Sequence, residues 1–361
     1  MLPHVPHQDT DRRTDGQEAT RRAPAYRTAR HRKLSRSPQK TTPRTHGRHG
    51  NRDRLAIVGV VLLLFVLTVA VFATYRYVRI ANKIKPVGSA DRTAVEEALD
   101  PVEDLPRDVP IYILILGADA RPGQTRARSD TIILARVDRT EKSVLMLSIP
   151  RDSRVPVAGH GLDKIAHANA YGGPALAIAT VKNYTGLPVN HFVELDFEGF
   201  ASIVDAVGGV VVTVDQEIND ANGSNTGGVS SVTHIAAGRQ RLNAEQALTF
   251  VRSRAYARGD FTRIKNQQKF LIALATQSLQ PKNLGRLPSI AEAAAENIQT
   301  DMTIPELLSI ASSLRGMSEN ATRGITVPGG TGTINGVSYV IPDEAKARTL
   351  FEQFRAGTIS E

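Results

Sequence analysis

Three near-continuous apolar runs, at residues 111–116, 131–137 and 143–149, stand out along the chain. Each is six or seven residues long and rich in Ile, Val and Leu. That length and composition predict strands rather than helices, and apolar side chains at successive positions predict cover on both faces. The connection at 138–142 is short enough only for a hairpin, whereas 117–130 is longer, polar and contains Gly and Pro. An antiparallel meander of the three strands brings the end of the first, the start of the second and the end of the third to one edge. Further along, 189–195 and 210–214 read as strands. Between them Phe197, Phe200, Ile203, Val204 and Val207 recur at helical spacing as a core-facing stripe, closed by Gly208 and Gly209. Pro174 fits the first turn of a helix that Gly186 ends, behind a tight turn at 171–173. Asn243, with Gln246 three residues on, predicts a capped helix start. Asp260 is placed to cap another helix, in which Arg263 and Gln267 share one face and Ile264, Leu271 and Leu274 another. Residues 289–298, 305–314 and 343–354 predict helices, 329–340 a short strand pair, and the Asn-, Gly-, Ser- and Thr-rich stretch 215–238 a loop.

The first quarter of the chain has a different pattern. Residues 55–75 are 21 consecutive uncharged, mostly apolar residues; as a helix they span about 31 Å, one hydrocarbon core. A cleaved signal peptide has a shorter apolar region and a far shorter basic region than the 54 residues found here, so the stretch reads as a retained anchor. Residues 1–54 are almost devoid of apolar side chains and cannot bury enough surface to offset their ordering entropy. They hold 14 Lys and Arg against 5 Asp and Glu, so the tail alone carries the chain's formal excess of +9. Arg48, Arg52 and Arg54 precede the span, and Arg76, Arg79, Lys83 and Lys85 follow it. The heavier basic side is expected in the cytoplasm, which leaves the remainder outside the cell. With one aromatic residue, Tyr26, and a tether to the bilayer, the tail fits anionic lipid headgroups better than nucleic acid. The domain plan is a disordered tail (1–54), a transmembrane helix (55–75), a linker (76–110) with a short helical stretch at 92–99, and one extracellular domain (111–361).

The chain has no Cys or Trp, which excludes disulfides, thiolate metal sites and a cysteine nucleophile. The meander would crowd Asp119, Arg121, Arg126, Arg128, Asp130, Arg151, Asp152 and Arg154 onto one edge. Such a cluster is either a salt-bridge mesh or an anion site with a hard cation held by carboxylate oxygens. Lys164 and His167, three apart, would share a helical face. No second His lies at metal-ligand spacing, so no zinc site is expected and His167 reads as a packed histidine. An Arg–Gln face such as Arg263 and Gln267 reads first as a solvated one.

Residues 111–279 resemble the LytR-CpsA-Psr family. The resemblance is carried, in order, by ILGADAR (115–121), RSDTIILARVD (128–138), LSIPRDSRV (147–155), DKIAHANAYGG (163–173), VDAVGGV (204–210), LTFVRSR (248–254) and GDFTRIKNQQ (259–268). It implies an α/β fold, a mixed central β-sheet with helices on both faces (three layers, α-β-α) enclosing an apolar tunnel for a lipid. It also implies a phosphotransferase that moves a glycopolymer from a polyprenyl-pyrophosphate carrier to a hydroxyl of peptidoglycan or a related wall glycan, releasing polyprenyl phosphate. By motif, Asp119 and Asp130 match acids associated with Mg2+ (or Mn2+). Arg128, Arg151, Arg252, Arg254, Arg263 and Gln267 match a pyrophosphate-contacting set; Lys164 precedes the AHANAYGG stretch, and Arg121 closes ILGADAR. Asp119, Asp130 or Asp260 is expected to help deprotonate the attacking hydroxyl. One position departs from the family pattern: Asn266 stands where an Arg is common. A membrane-bound polyprenyl-phosphate-binding or regulatory protein, or a pyrophosphatase, are the alternative functions.

Overall fold

A computed structural model describes residues 65–68, 74–75, 78–79, 89–102, 106–118, 126–220, 234–254, 260–295 and 298–359. The predicted tail and most of the predicted membrane span lie outside the described residues. Of that span, 65–68 and 74–75 are helical, and among the described residues no helix is long and apolar enough to cross a membrane.

Helix α1 (Ser89–Ala98) precedes a meander of β1 (Ile111–Ala118), β2 (Ser129–Asp138) and β3 (Ser143–Ser148). A ribbon of β4 (Arg154–Val157) and β5 (Gly161–Lys164) leads into α2 (His167–Thr185), β6 (His191–Leu195), α3 (Phe197–Val207) and β7 (Val210–Val214). The predicted loop after β7 contains a two-residue pair, β8 (Ile218–Asn219) with β9 (His234–Ile235), and residues 221–233 lie outside the described residues. Then follow β10 (Gly238–Leu242), α4 (Ala244–Arg252), α5 (Asp260–Ser278), α6 (Leu287–Ala295), β11 (Ile298–Thr300) and α7 (Ile304–Ser313). The chain closes with β12 (Thr322–Thr326), the ribbon β13 (Gly329–Ile334) and β14 (Val337–Pro342), and α8 (Glu344–Ala356).

The main sheet has six strands in the order β11-β6-β1-β2-β3-β12. The meander is antiparallel as the short connection requires, while β6 runs parallel to β1 and β12 parallel to β3. The sheet is therefore mixed. Strands β1, β3, β6 and β12 all end at one edge, where β2 and β11 begin. Alternate residues of β1 enter different cores. Tyr112, Leu114 and Leu116 join Ile178 and Val181 of α2 and Phe351 and Phe354 of α8. Ile111, Ile113 and Ile115 lie on the other face, in clusters with Leu271, Ile272, Ala275 and Leu279 from α5 and the segment just after it. Helices thus cover both faces, the three-layer arrangement expected. A separate core forms around Val204, Val210, Val212, Phe250 and Phe270, joining α3, α4, α5 and the β7–β10 ribbon.

Two local details differ from the sequence reading. Residues 289–298 are not one helix: α6 ends at Ala295, and Ile298 starts edge strand β11, paired with β6. The edge is fixed by side chains, since Thr300 Oγ1 donates to the Phe192 carbonyl at 2.6 Å and Asp301 accepts the Phe192 N–H at 2.8 Å. The turn before Pro174 is itself helical, so α2 continues across a break at Gly173 (φ 67°, ψ −163°), a conformation open essentially only to glycine. Other signals hold. Asn243 and Gln246 exchange reciprocal hydrogen bonds at 2.9 and 3.1 Å, and Gly186 closes α2 at φ 65°.

Candidate active site

The edge where β1 and β3 end and β2 begins carries the charged cluster. Asp130, the second residue of β2, forms an ion pair with Arg151, which lies just past β3. The Arg151 Nε is also 3.4 Å from Asp152, and Asp152 in turn holds the Lys164 ammonium at 2.7 Å. The four side chains make a continuous alternation of charge, Asp130–Arg151–Asp152–Lys164. Its backbone is locked as well, since the amides of Ile165, Ala166 and Ser129 donate to the carbonyls of Ser153, Arg151 and Ala166. Lys164 does not share a helical face with His167, as its spacing suggested. It ends β5, whose pairing with Arg154 turns it back toward Asp152. His167 opens α2 and contacts Asp163 at 2.8 Å.

Burial pushes the Asp152 carboxyl up, but the Lys164 hydrogen bond and the charges of Arg151, Lys164 and Arg254 outweigh it and hold the group below the usual aspartate range. Arg254, two residues past α4, thus acts electrostatically on the same cluster. The connection is made by three successive amides on α5. Asn266 donates to the Phe250 carbonyl at 3.3 Å and Gln267 to the Val251 carbonyl at 3.1 Å, which holds the last turn of α4 just before Arg252. Gln268 donates to Ser148 Oγ at 2.8 Å and to the Ile325 carbonyl at 2.9 Å, at the ends of β3 and β12. Gly324 leaves the room for it, because a Cβ there would sit 2.7 Å from the Gln268 amide. Arg263 and Gln267 are 5% and 9% exposed, so the solvated reading of that helical face is wrong. Asn266, in the position where the family pattern often has Arg, serves as a carbonyl clamp. Arg252 lies against the Phe197 ring, 4.3 Å from its centroid.

Arg128 is exposed beside this edge. Asp119, Arg121 and Arg258 lie outside the described residues, as does the capping expected of Asp260, which is the first residue of α5. For a hard divalent cation the site offers the right donor type. Asp130 pairs with Arg151 through Oδ1 alone, and among the described residues Oδ2 has no partner. Ala118, just before Asp119, pairs with Ser129, just before Asp130. Among the described residues no three acids or histidines gather into a ligand set.

Several site residues are not singled out by spacing of charges. Asp152 carries two cations, yet in sequence it is one of eight charges. Asn169, 2% exposed, donates to the Ala127 carbonyl at 3.2 Å and to Glu194 at 2.8 Å, tying the segment before Arg128 to β6. The one available signal is the spacing Asp163, His167, Tyr171, which repeats every four residues. Burial raises the Glu194 carboxyl above the ordinary glutamate range, the Asn169 hydrogen bond offsets this in part, and Asp196 adds to it. With the folded-state value raised, the stability Glu194 contributes is full below the unfolded value and is lost as pH rises through the folded one. Glu194→Gln keeps the acceptor for Asn169 and removes the charge. It is expected to raise the Tm at neutral pH and to give no gain once the pH is below the ordinary glutamate range, measured by thermal scans across pH.

Residues 74–356 match the model of the LytR_cpsA_psr family. The chain is 33% identical over 304 residues to the polyisoprenyl-teichoic acid–peptidoglycan teichoic acid transferase TagU of Halalkalibacterium halodurans, covering 82% of this chain and 96% of that protein. Among solved structures it is similar to Bacillus subtilis TagV (TM-score 0.61, 30% identity, 70% of this chain and 99% of that one). It is also similar to the YwtF (TagT) protein with bound octaprenyl pyrophosphate lipid (TM-score 0.56, 28% identity, 71% and 94%). The mixed sheet, the ordered motifs and a match across most of its length make this chain a member of the LytR-CpsA-Psr family.

Proposed function

We propose that this protein is a phosphotransferase that moves a glycopolymer from a polyprenyl-pyrophosphate carrier to a hydroxyl of peptidoglycan or a related wall glycan. The observation that carries the reading is the alternating chain Asp130–Arg151–Asp152–Lys164, joined by Arg254, at the edge where four strands end. An edge of that kind is where open α/β sheets bind ligands, and cations held in place by neighbouring carboxylates suit a pyrophosphate. In the reaction the acceptor oxygen bonds to the sugar-side phosphorus, the bond from that phosphorus to the bridging oxygen breaks, and polyprenyl phosphate leaves with the bond's electrons. The hydroxyl proton passes to a carboxylate, Asp119, Asp130 or Asp260. Arg151, Lys164, Arg252, Arg254 and Arg263, with Arg121 and Arg128 from the preceding loop, hold the phosphates and stabilise charge on the leaving group. Gln267 acts by fixing the end of α4.

Asp119 and Asp130 would hold Mg2+ or Mn2+, which when bound offsets phosphate charge. Titration calorimetry with Mg2+ is expected to give binding that Asp130→Asn weakens by tenfold or more. Unchanged binding in that variant would remove Asp130 from the metal site. We assign the prenyl chain to the α5 side of the sheet, where Ile113, Ile115, Val144, Leu271 and Ile272 remain only partly buried. Each methylene sheltered there contributes about 0.8 kcal/mol. In this reading residues 55–75 anchor the enzyme beside its lipid donor, with the basic tail (1–54) in the cytoplasm and the domain from 111 onward outside. The test is an assay with the full chain, a polyprenyl-pyrophosphate-linked disaccharide and peptidoglycan fragments. Polyprenyl phosphate release that depends on the acceptor supports transfer. Equal release without acceptor supports a pyrophosphatase, and lipid binding without release supports a binding protein.

A further inference from the structure

The ribbon β4–β5 and the start of α2 present side chains that the phosphate chemistry leaves unused. Asp163 Oδ2 accepts the Tyr171 hydroxyl at 2.8 Å and contacts His167 Nδ1 at 2.8 Å. The Tyr171 ring stacks on His160, with centroids 3.9 Å apart and planes 11° from parallel, and meets His167 edge-on at 5.8 Å. Although held on all these sides, Tyr171 remains 42% exposed, and Leu162 of β5 is 51% exposed. The large aromatics of the core, such as Phe192 and Phe270, are fully buried. Tyr171 is thus a flat, pre-oriented surface facing solvent, and a tyrosine gives such a surface at low conformational cost.

A second ring meets the same ribbon. Tyr339 of β14 is half-buried and lies under two cations, with Arg154 5.8 Å and Lys164 5.7 Å from its centroid. It is close enough to act electrostatically on Tyr171, as is Arg128. Lys164 belongs to both regions, since the same ammonium is 2.7 Å from Asp152. The aromatic surface therefore borders the phosphate cluster directly. Arg154 makes no ion pair among the described residues, so the rim keeps an uncompensated positive charge. An exposed ring and a half-buried one, with an acid, a histidine and an unpaired arginine at the rim, are the chemistry that recognises a saccharide. The C–H face of a pyranose packs on the ring, its hydroxyls meet Asp163 and His160, and an anionic substituent meets Arg154. A prenyl chain needs none of the polar rim.

We propose that Tyr171, Tyr339 and His160 form the subsite that holds a sugar of the acceptor glycan, with Arg154 directed at an anionic substituent of it. This rests on the transferase reading above and assigns the acceptor side of the same site.

The test uses the full chain in detergent, uncross-linked peptidoglycan glycan strands as acceptor, and a polyprenyl-pyrophosphate-linked disaccharide as donor. Tyr171→Ala and Tyr339→Ala are each expected to raise the acceptor KM about tenfold or more. Donor KM and the rate at saturating acceptor stay unchanged, and Tyr171→Phe, which keeps the ring, stays near wild type. Calorimetric titration of the glycan strands without donor is expected to weaken in step. Thermal scans confirm that each variant is folded, and His160→Ala replaces Tyr171→Ala if the latter is not. Unchanged acceptor KM and binding in the folded variants overturns the proposal, and so does a rise confined to donor KM, which would put the donor sugar on these rings. Tyrosine-dependent glycan binding by a wild type that shows no transfer would sustain the subsite and defeat the transferase reading instead.

Discussion

Arg151→Ala is expected to lower transfer by roughly 10³-fold or more with the fold intact, the scale seen when a transition-state arginine or a fixed oxyanion donor is removed. Arg151 sits at the centre of the charge alternation, between Asp130 and Asp152. Its removal leaves neither acid isolated in the interior. The Asp130 side chain is 44% exposed, and Asp152 retains Lys164 at 2.7 Å. Partly exposed ion pairs contribute little to stability, so the melting transition should move by only a few degrees. What is lost is a planar fork that meets two phosphate oxygens at once. Arg151→Lys restores the charge but not the fork, and its activity should fall between the two. Near-normal transfer by Arg151→Ala would take this residue out of the mechanism.

The largest stability effect is expected far from that edge. Phe354 of α8 is 0% exposed and packs against Tyr112 with ring centroids 6.2 Å apart, in the core that also holds Leu114, Leu116 and Phe192. Phe354→Ala removes a buried ring from a packed interior and should cost about 3–5 kcal/mol. For a domain of this size that corresponds to a Tm lower by roughly 6–20 °C. Transfer at a temperature where the variant remains folded should be close to normal, because α8 supplies no side chain to the charged edge. A Tm drop of only a degree or two would mean that α8 is not part of this core.

The central strands were legible because their residues are apolar on both faces, so composition and length alone identified them, and one short connection then set the topology. The gathering of charge at one edge followed from that topology. Asp130 and Arg151 meet there as the meander requires, while Asp119 and Arg121 lie outside the described residues. The ribbon β4–β5 was not legible. Its stretch contains Pro156, Gly159 and Gly161, and its pattern is mostly exposed or half-buried, so no period marks it. Spacing alone therefore puts Lys164 on a helical face with His167, and it does not single out Asp152 among the eight charges as the partner of Lys164. The burial of Arg263 and Gln267 was equally hidden. Local spacing says which residues share a face, whereas the contact of Gln267 with Val251, sixteen residues earlier, decides what that face meets. Asn266 illustrates the same limit. In sequence it is a missing arginine, and in the fold it is a buried amide bonded to the Phe250 carbonyl.

The most direct measurement follows the fate of one phosphate. A polyprenyl-pyrophosphate donor labelled with ³²P only at the sugar-side phosphorus is incubated with the full chain, Mg2+ and peptidoglycan fragments. The products are then separated and identified by mass spectrometry. Transfer by attack at that phosphorus predicts label in the glycan product, linked as a phosphodiester, with unlabelled polyprenyl phosphate released and both absent with Arg151→Ala. Label recovered as free phosphorylated sugar, or remaining in intact donor while lipid stays bound, would contradict the transferase account.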